Sequence, residues 1–152
     1  MKFSNRVDVA LAPDHLFSHL TDVAAIEQVA RRKGVTMRRL DSLREIGAGM
    51  SWEVGFMLRG KPREMIVDLA RFEPARCTEY AGTSSSFQLT LLLEFTALEA
   101  GRTRLSTVLE LRPRTLGARL LLQSARLGRA NLDRRYDARI KSFLRALEAR
   151  AA

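Results

Sequence analysis

Apolar and polar side chains alternate at the start of the chain. Val7, Val9 and Leu11 fall on one face, Arg6, Asp8 and Ala10 on the other. A period of two predicts a strand with one buried face. Pro13 then suits the first position of a helix, where its missing N–H costs nothing. Leu16, Phe17 and Leu20 are spaced for one helical face. Thr21 and Asp22 offer a new cap, and Val23, Ile26, Val29 and Ala30 continue as a second short helix ending at Gly34. The period then returns to two. Val35 to Leu43 leads into Trp52, Val54, Phe56 and Leu58, with a turn at Gly60 and Pro62. Met65, Val67 and Leu69 alternate with charged or outward positions until Pro74, and a short stretch follows from Cys77 to Tyr80. Phe87, Leu89, Leu91, Leu93 and Phe95 form the cleanest alternation; after a turn at residues 100–102 it is answered by Leu105, Thr107, Leu109 and Leu111. From Thr115 onward the period becomes 3.6: Leu132, Tyr136, Ile140, Phe143 and Leu147 recur on one face of a long helix. The expected order is a strand, two short helices, about six antiparallel strands in a meander and a long C-terminal helix, in one domain over residues 1–152.

The stretch EIGAGMSW at 45–52 has the glycines of a phosphate loop. Such a loop needs a helix opening directly after it, so that backbone N–H groups face the anion. Here a period-two strand follows, and the Gly-Lys-Ser/Thr ending is absent. The glycines are expected to supply the positive φ of a turn between strands.

Composition narrows the class. At 152 residues, 46% hydrophobic and 28% charged, the chain can bury one sizeable core. No apolar run nears the roughly 20 residues that cross a bilayer, and the alternating N-terminal segment differs from a secretory leader. Cys77 is the only cysteine, which fits a reducing, cytoplasmic setting and excludes a cysteine-based metal cluster. The net charge of +9 is uneven: residues 112–150 carry 11 basic and three acidic side chains. Arginine on a solvated helix face accounts for this most simply.

A sheet curling round one long helix, with two small helices after the first strand, is the helix-grip arrangement, an α+β fold of about six to seven strands. The chain resembles the START-like (SRPBCC) superfamily, in its polyketide cyclase/dehydrase and lipid-transport branch. The resemblance rests on VDVALAPDHLFSHLTDVAAIE, IGAGMSWEVGF, the FQLTLLLEFTAL/TRLSTVLEL hairpin and the terminal helix. It implies a ligand cavity between sheet and long helix. The strand parity independently points one apolar set inward: Trp52, Val54, Phe56, Met65, Val67, Phe87, Leu89, Leu91, Thr107 and Leu109, closed above by Leu132 and Tyr136. A hydrophobic small molecule or lipid is the expected partner, held by a carrier or sensor. Gly128 is placed to let the helix approach the sheet or to leave room for a ligand.

Candidate chemistry is sparse. His15 and His19 share a helix face but lack a third ligand, so no metal is expected, and the pattern calls for no cofactor. Cys77 sits on a short strand assigned near the sheet edge. Ser84–Ser86 is a polar loop, not a nucleophile elbow. Tyr136 is the inward titratable group, placed to donate a hydrogen bond to a ligand carbonyl and to act as acid or base if the cavity hosts a cyclase- or isomerase-type reaction. Nucleic acid is disfavoured because the basic helix lacks interleaved aromatics. Leu116, Leu120 and Leu127 lie opposite the core side among Arg119 and Arg126. They are expected to be buried against the 22–34 helix and the sheet rim; the alternative is a surface for self-association or an anionic membrane.

Overall fold

In the computed structural model, which describes residues 1–151, seven strands form one antiparallel sheet. The strands are β1 (Lys2–Val9), β2 (Thr36–Arg39), β3 (Ser51–Leu58), β4 (Lys61–Glu73), β5 (Cys77–Thr83), β6 (Phe87–Leu98) and β7 (Arg102–Pro113). The helices are α1 (Pro13–Leu20), α2 (Val23–Arg32), α3 (Leu116–Ala125) and α4 (Arg129–Ala151), with a 3₁₀ turn at Arg126–Gly128 between the last two. The sheet order is β1-β7-β6-β5-β4-β3-β2. The meander is as the pattern predicts, and the first strand joins its far side by pairing with β7, Lys2 opposite Glu110 and Val9 opposite Thr103. Cys77 is therefore on the central strand, not near an edge.

The alternation reads directly into faces. Directly paired residues share a face, so the register links Trp52 to Val67, Val67 to Gly82, Gly82 to Leu89 and Leu89 to Leu111 in one inward row. The next row runs Leu69, Tyr80, Leu91, Leu109 and Phe3, and the next Phe72, Thr78, Leu93, Thr107 and Asn5. A bulge between Leu69 and Arg71 inserts one residue in β4, so Leu69 and Phe72 both face inward and the strand bends there.

Helix ends follow local chemistry. Asp22 caps α2 by accepting from the Ala25 N–H, and Thr115 caps α3 by accepting from the Ala118 N–H. The helical pattern from Thr115 onward is split by the 3₁₀ turn, so two helices stand where one was expected. The loop EIGAGMSW is a turn: Gly49 adopts φ +97°, and its N–H donates to the Leu69 carbonyl. Gly47 has no positive φ. Asp41 holds the loop by accepting from Arg39 and from the N–H groups of Leu43 and Ser51.

The core lies at one end of the sheet. Val7, Val9, Leu11, Leu16, Phe17, Phe95, Leu105, Leu144 and Leu147 form the main cluster, beneath α1 and the second half of α4. Met50, Trp52 and Leu69 form a second one under α2, where Val23 packs on it. The Trp52 indole N–H donates to Glu27 of α2, and the Arg39 guanidinium lies 5.8 Å from its ring centroid.

Candidate functional site

Beyond these clusters much of the inward face is only partly buried. Val54, Phe56, Met65, Val67, Phe87, Leu89, Leu91, Leu109 and Leu132 are all half-buried, whereas Trp52 and Thr107 are packed to 2% and 1% exposure. The twelve residues singled out in the sequence thus divide. Ten strand residues share the concave face, but Trp52 and Thr107 belong to its packed floor. Leu132 and Tyr136 approach from α4.

This concave face is apolar with a sparse set of hydroxyls. Gly82 lies between Met65 and Leu89: a Cβ there would stand 2.7 Å from the Met65 sulfur and 3.0 Å from Leu89 Cγ. Its missing side chain lets the two meet across β5. Tyr80, on the same strand, points inward, and among the described residues its hydroxyl has no hydrogen-bond partner. Burial pushes its phenol above the ordinary value, so it keeps its proton at neutral pH and is free to donate it.

Tyr136 is different. Its hydroxyl lies 2.6 Å from Thr107 Oγ1, which lies 2.5 Å from Asn5 Oδ1; Asn5 Nδ2 donates to Asp137 at 3.3 Å. The Lys141 ammonium, 2.8 Å from Asp137, and then the Asn5 amide hold that carboxyl below its usual range, so it is ionised and only accepts. The amide nitrogen of Asn5 must therefore face Asp137 and its oxygen must face Thr107. That oxygen can only accept, which commits the single Thr107 proton to it. Tyr136 is left to donate to Thr107. Burial pushes its phenol above the ordinary value, and with its proton on Thr107 it presents only lone pairs to the concave face. The expected donor to a ligand carbonyl is thus an acceptor. The network passed unseen in the sequence because Asn5 and Thr107 meet only when β1 joins β7.

Other sequence candidates are placed plainly. His15 and His19 stack with ring centroids 4.8 Å apart, His15 exposed and His19 with a buried Nε2 that lacks a partner. Among the described residues no three His, Cys, Asp or Glu side chains gather as a metal site. Burial pushes the Cys77 thiol up. Gly128 is exposed and a Cβ there would meet nothing within 4 Å, so it mediates no close approach of helix to sheet. Leu116, Leu120 and Leu127 are exposed, against the expectation that they pack. Thr78, in the row of Phe72 and Leu93, was missed; its Oγ1 is buried with no partner. Two surface depressions, of about 450 and 340 Å³, lie elsewhere. One is lined mainly by charged residues of β1, β7 and α4, the other by residues of β5, β6 and β7 that are mostly outward but include Gly82 and Leu89.

This curved sheet, gripping a long C-terminal helix with two short helices after β1, is the helix-grip fold. Solved structures share it. The chain is similar over its full length to the ZhuI aromatase/cyclase from Streptomyces sp. R1128, with a TM-score of 0.70, 17% identity and 96% of that chain covered. It is equally coextensive with the protein TTHA0849 from Thermus thermophilus, at TM-score 0.68, 12% identity and complete coverage of both chains. A START superfamily protein from Mycobacterium smegmatis matches 90% of this chain and 97% of its own, at TM-score 0.58 and 12% identity. No family model matches the sequence, and no curated protein does. Among the described residues no helix is long and apolar enough to cross a membrane.

Proposed function

We propose that the protein binds a hydrophobic small molecule or lipid on the concave face of its sheet, as a carrier or sensor working in the cytoplasm. One observation supports the reading: a broad set of inward apolar side chains, Val54, Phe56, Met65, Val67, Phe87, Leu89, Leu91 and Leu109, is left half-buried on the concave face. Apolar surface facing unfilled space is costly in water and favours an apolar occupant. Tyr80 as donor and Tyr136 as acceptor are the polar groups that would orient it, which favours a ligand with a hydroxyl or carbonyl on an apolar body. Catalysis through Tyr136 is not favoured, since its proton is committed to Thr107 and burial keeps it there at neutral pH.

Native mass spectrometry of the purified protein, then denaturation and identification of what is released, tests the reading. A molecule of this class is expected at near one-to-one ratio. Leu91→Trp, which fills the trough between Tyr80 and Leu109, should abolish its retention without unfolding the chain. Retention unchanged in Leu91→Trp would place any bound molecule elsewhere and overturn the proposal.

A further inference from the structure

The antiparallel order puts three junctions at the same end of the sheet: the β3–β4 turn, the β5–β6 turn and the exit from β7 into α3. The last two touch, because the Arg114 N–H donates to the Ser86 carbonyl. The start of α4 returns to this end, where Arg129 donates to the Lys2 carbonyl and lies 4.8 Å over the Phe3 ring. α3 and the 3₁₀ turn therefore lie across this end, opposite the one that holds the core of Leu144 and Leu147. At this end the inward residues Phe56, Phe87 and Leu89 are only partly buried.

Among the described residues, five of the nine exposed large hydrophobic side chains are here. Leu127 is 93% exposed, Leu116 71% and Leu120 56% on the helical side; Met57 is 63% and Leu58 44% on the β3–β4 hairpin. Both elements are basic without acidic residues. From Leu111 to Leu132 there are five arginines and no Asp or Glu; from Met57 to Arg63 there are Arg59, Lys61 and Arg63 and again no acid. Leucines protruding from a helix with arginine alongside, joined by an apolar hairpin tip with the same charge, match an interface between water and anionic headgroups. A second copy of the chain fits poorly, since a two-fold contact would bring the same arginines face to face. An acidic protein would answer the charge, but two separate protruding apolar tips are shaped to enter a soft phase more than to meet a rigid surface.

We propose that this end, formed by α3, the 3₁₀ turn and the β3–β4 hairpin, docks on an anionic lipid bilayer with the open end of the trough toward it. The docking stands on exposure and charge alone. Only its use, exchange of an apolar ligand directly with the bilayer, rests on the proposed function.

Cosedimentation with vesicles of phosphatidylcholine alone, and of phosphatidylcholine with phosphatidylglycerol, is the test. Binding is expected to the anionic vesicles only, and to fall as salt is raised. Leu120→Ser/Leu127→Ser, Met57→Ser/Leu58→Ser and Arg119→Glu/Arg126→Glu should each weaken it by about tenfold or more. Melting should be unaffected, since all six side chains are exposed. Absence of binding to anionic vesicles at low salt, or wild-type binding by all three variants, overturns the proposal. So does a dimer by light scattering that Leu120→Ser/Leu127→Ser converts to monomer while no vesicles are bound. Native mass spectrometry of the same variants without vesicles reads ligand occupancy separately, so a loss of docking and a failure of the ligand reading give different patterns.

Discussion

Replacing Thr107 by Val tests the hydrogen-bond order that makes Tyr136 an acceptor. Thr107 is 1% exposed and its hydroxyl serves two neighbours, receiving from Tyr136 at 2.6 Å and donating to Asn5 at 2.5 Å. Valine removes both bonds, each worth about 1 kcal/mol net, and strands the Asn5 oxygen, which adds about 1 kcal/mol more. Its extra methyl would also occupy a site with oxygens at those distances, so the partners must retreat. Thr107→Val is thus expected to cost about 3 kcal/mol. Tyr136→Phe removes one bond and leaves the Thr107–Asn5 link standing, for about 1 kcal/mol. The double variant loses the tyrosine bond once, so its cost should fall short of the sum by about 1 kcal/mol. Urea unfolding followed by the fluorescence of Trp52, the only tryptophan, gives all three values at constant slope. In melting temperature the difference between the single variants should be roughly 4–8 °C. Equal costs for the two single variants, or strict additivity in the double, would refute the chain of donors.

Three further outcomes follow from particular atoms. Thr78→Val keeps the shape of a side chain whose buried hydroxyl has no partner; it should stabilise the protein by about 1 kcal/mol, and a lower melting temperature would mean the hydroxyl is satisfied. Gly82→Ala should push apart Met65 and Leu89 and lower ligand affinity more than stability, as read by native mass spectrometry and thermal melting together; a stability loss with affinity unchanged contradicts it. Asp41 is held far below the usual carboxylate range by Arg39 first, with the Ser51 and Leu43 N–H groups adding. Its folded value lies below the unfolded one, so its contribution is complete above about pH 5 and drains away as pH falls below about 4. The advantage of the wild type over Asp41→Asn in urea should shrink along that path, and an advantage growing toward acid would reverse the sign.

Much of the fold was legible because burial and periodicity are coupled. Inward residues on a strand recur every second position, and Phe87 to Phe95 could be assigned to one face from spacing alone. The same parity placed Trp52 and Leu91 together on the concave side. It could not separate them: one is packed to 2% exposure and the other half-buried, since a core wall and a trough wall are built from the same apolar residues. Nor did periodicity show that Leu116, Leu120 and Leu127 stay uncovered, because a second apolar stripe reads alike whether a neighbour lies on it or not.

The sequence by itself determined the strands and the two short helices, the inward face of each strand and the excess of arginine toward the C-terminus, all properties of neighbours a few residues apart. The tertiary structure decided what depends on distant segments. Pairing of β1 with β7 brought Asn5 to Thr107 and fixed the direction of the Tyr136 hydrogen bond. The break at Arg126–Gly128 laid α3 across one end of the sheet, and α4 packs its core on the opposite end, so inward residues at the α3 end are only partly buried. Such features arise from which surfaces meet in three dimensions, and no local pattern of side chains records that.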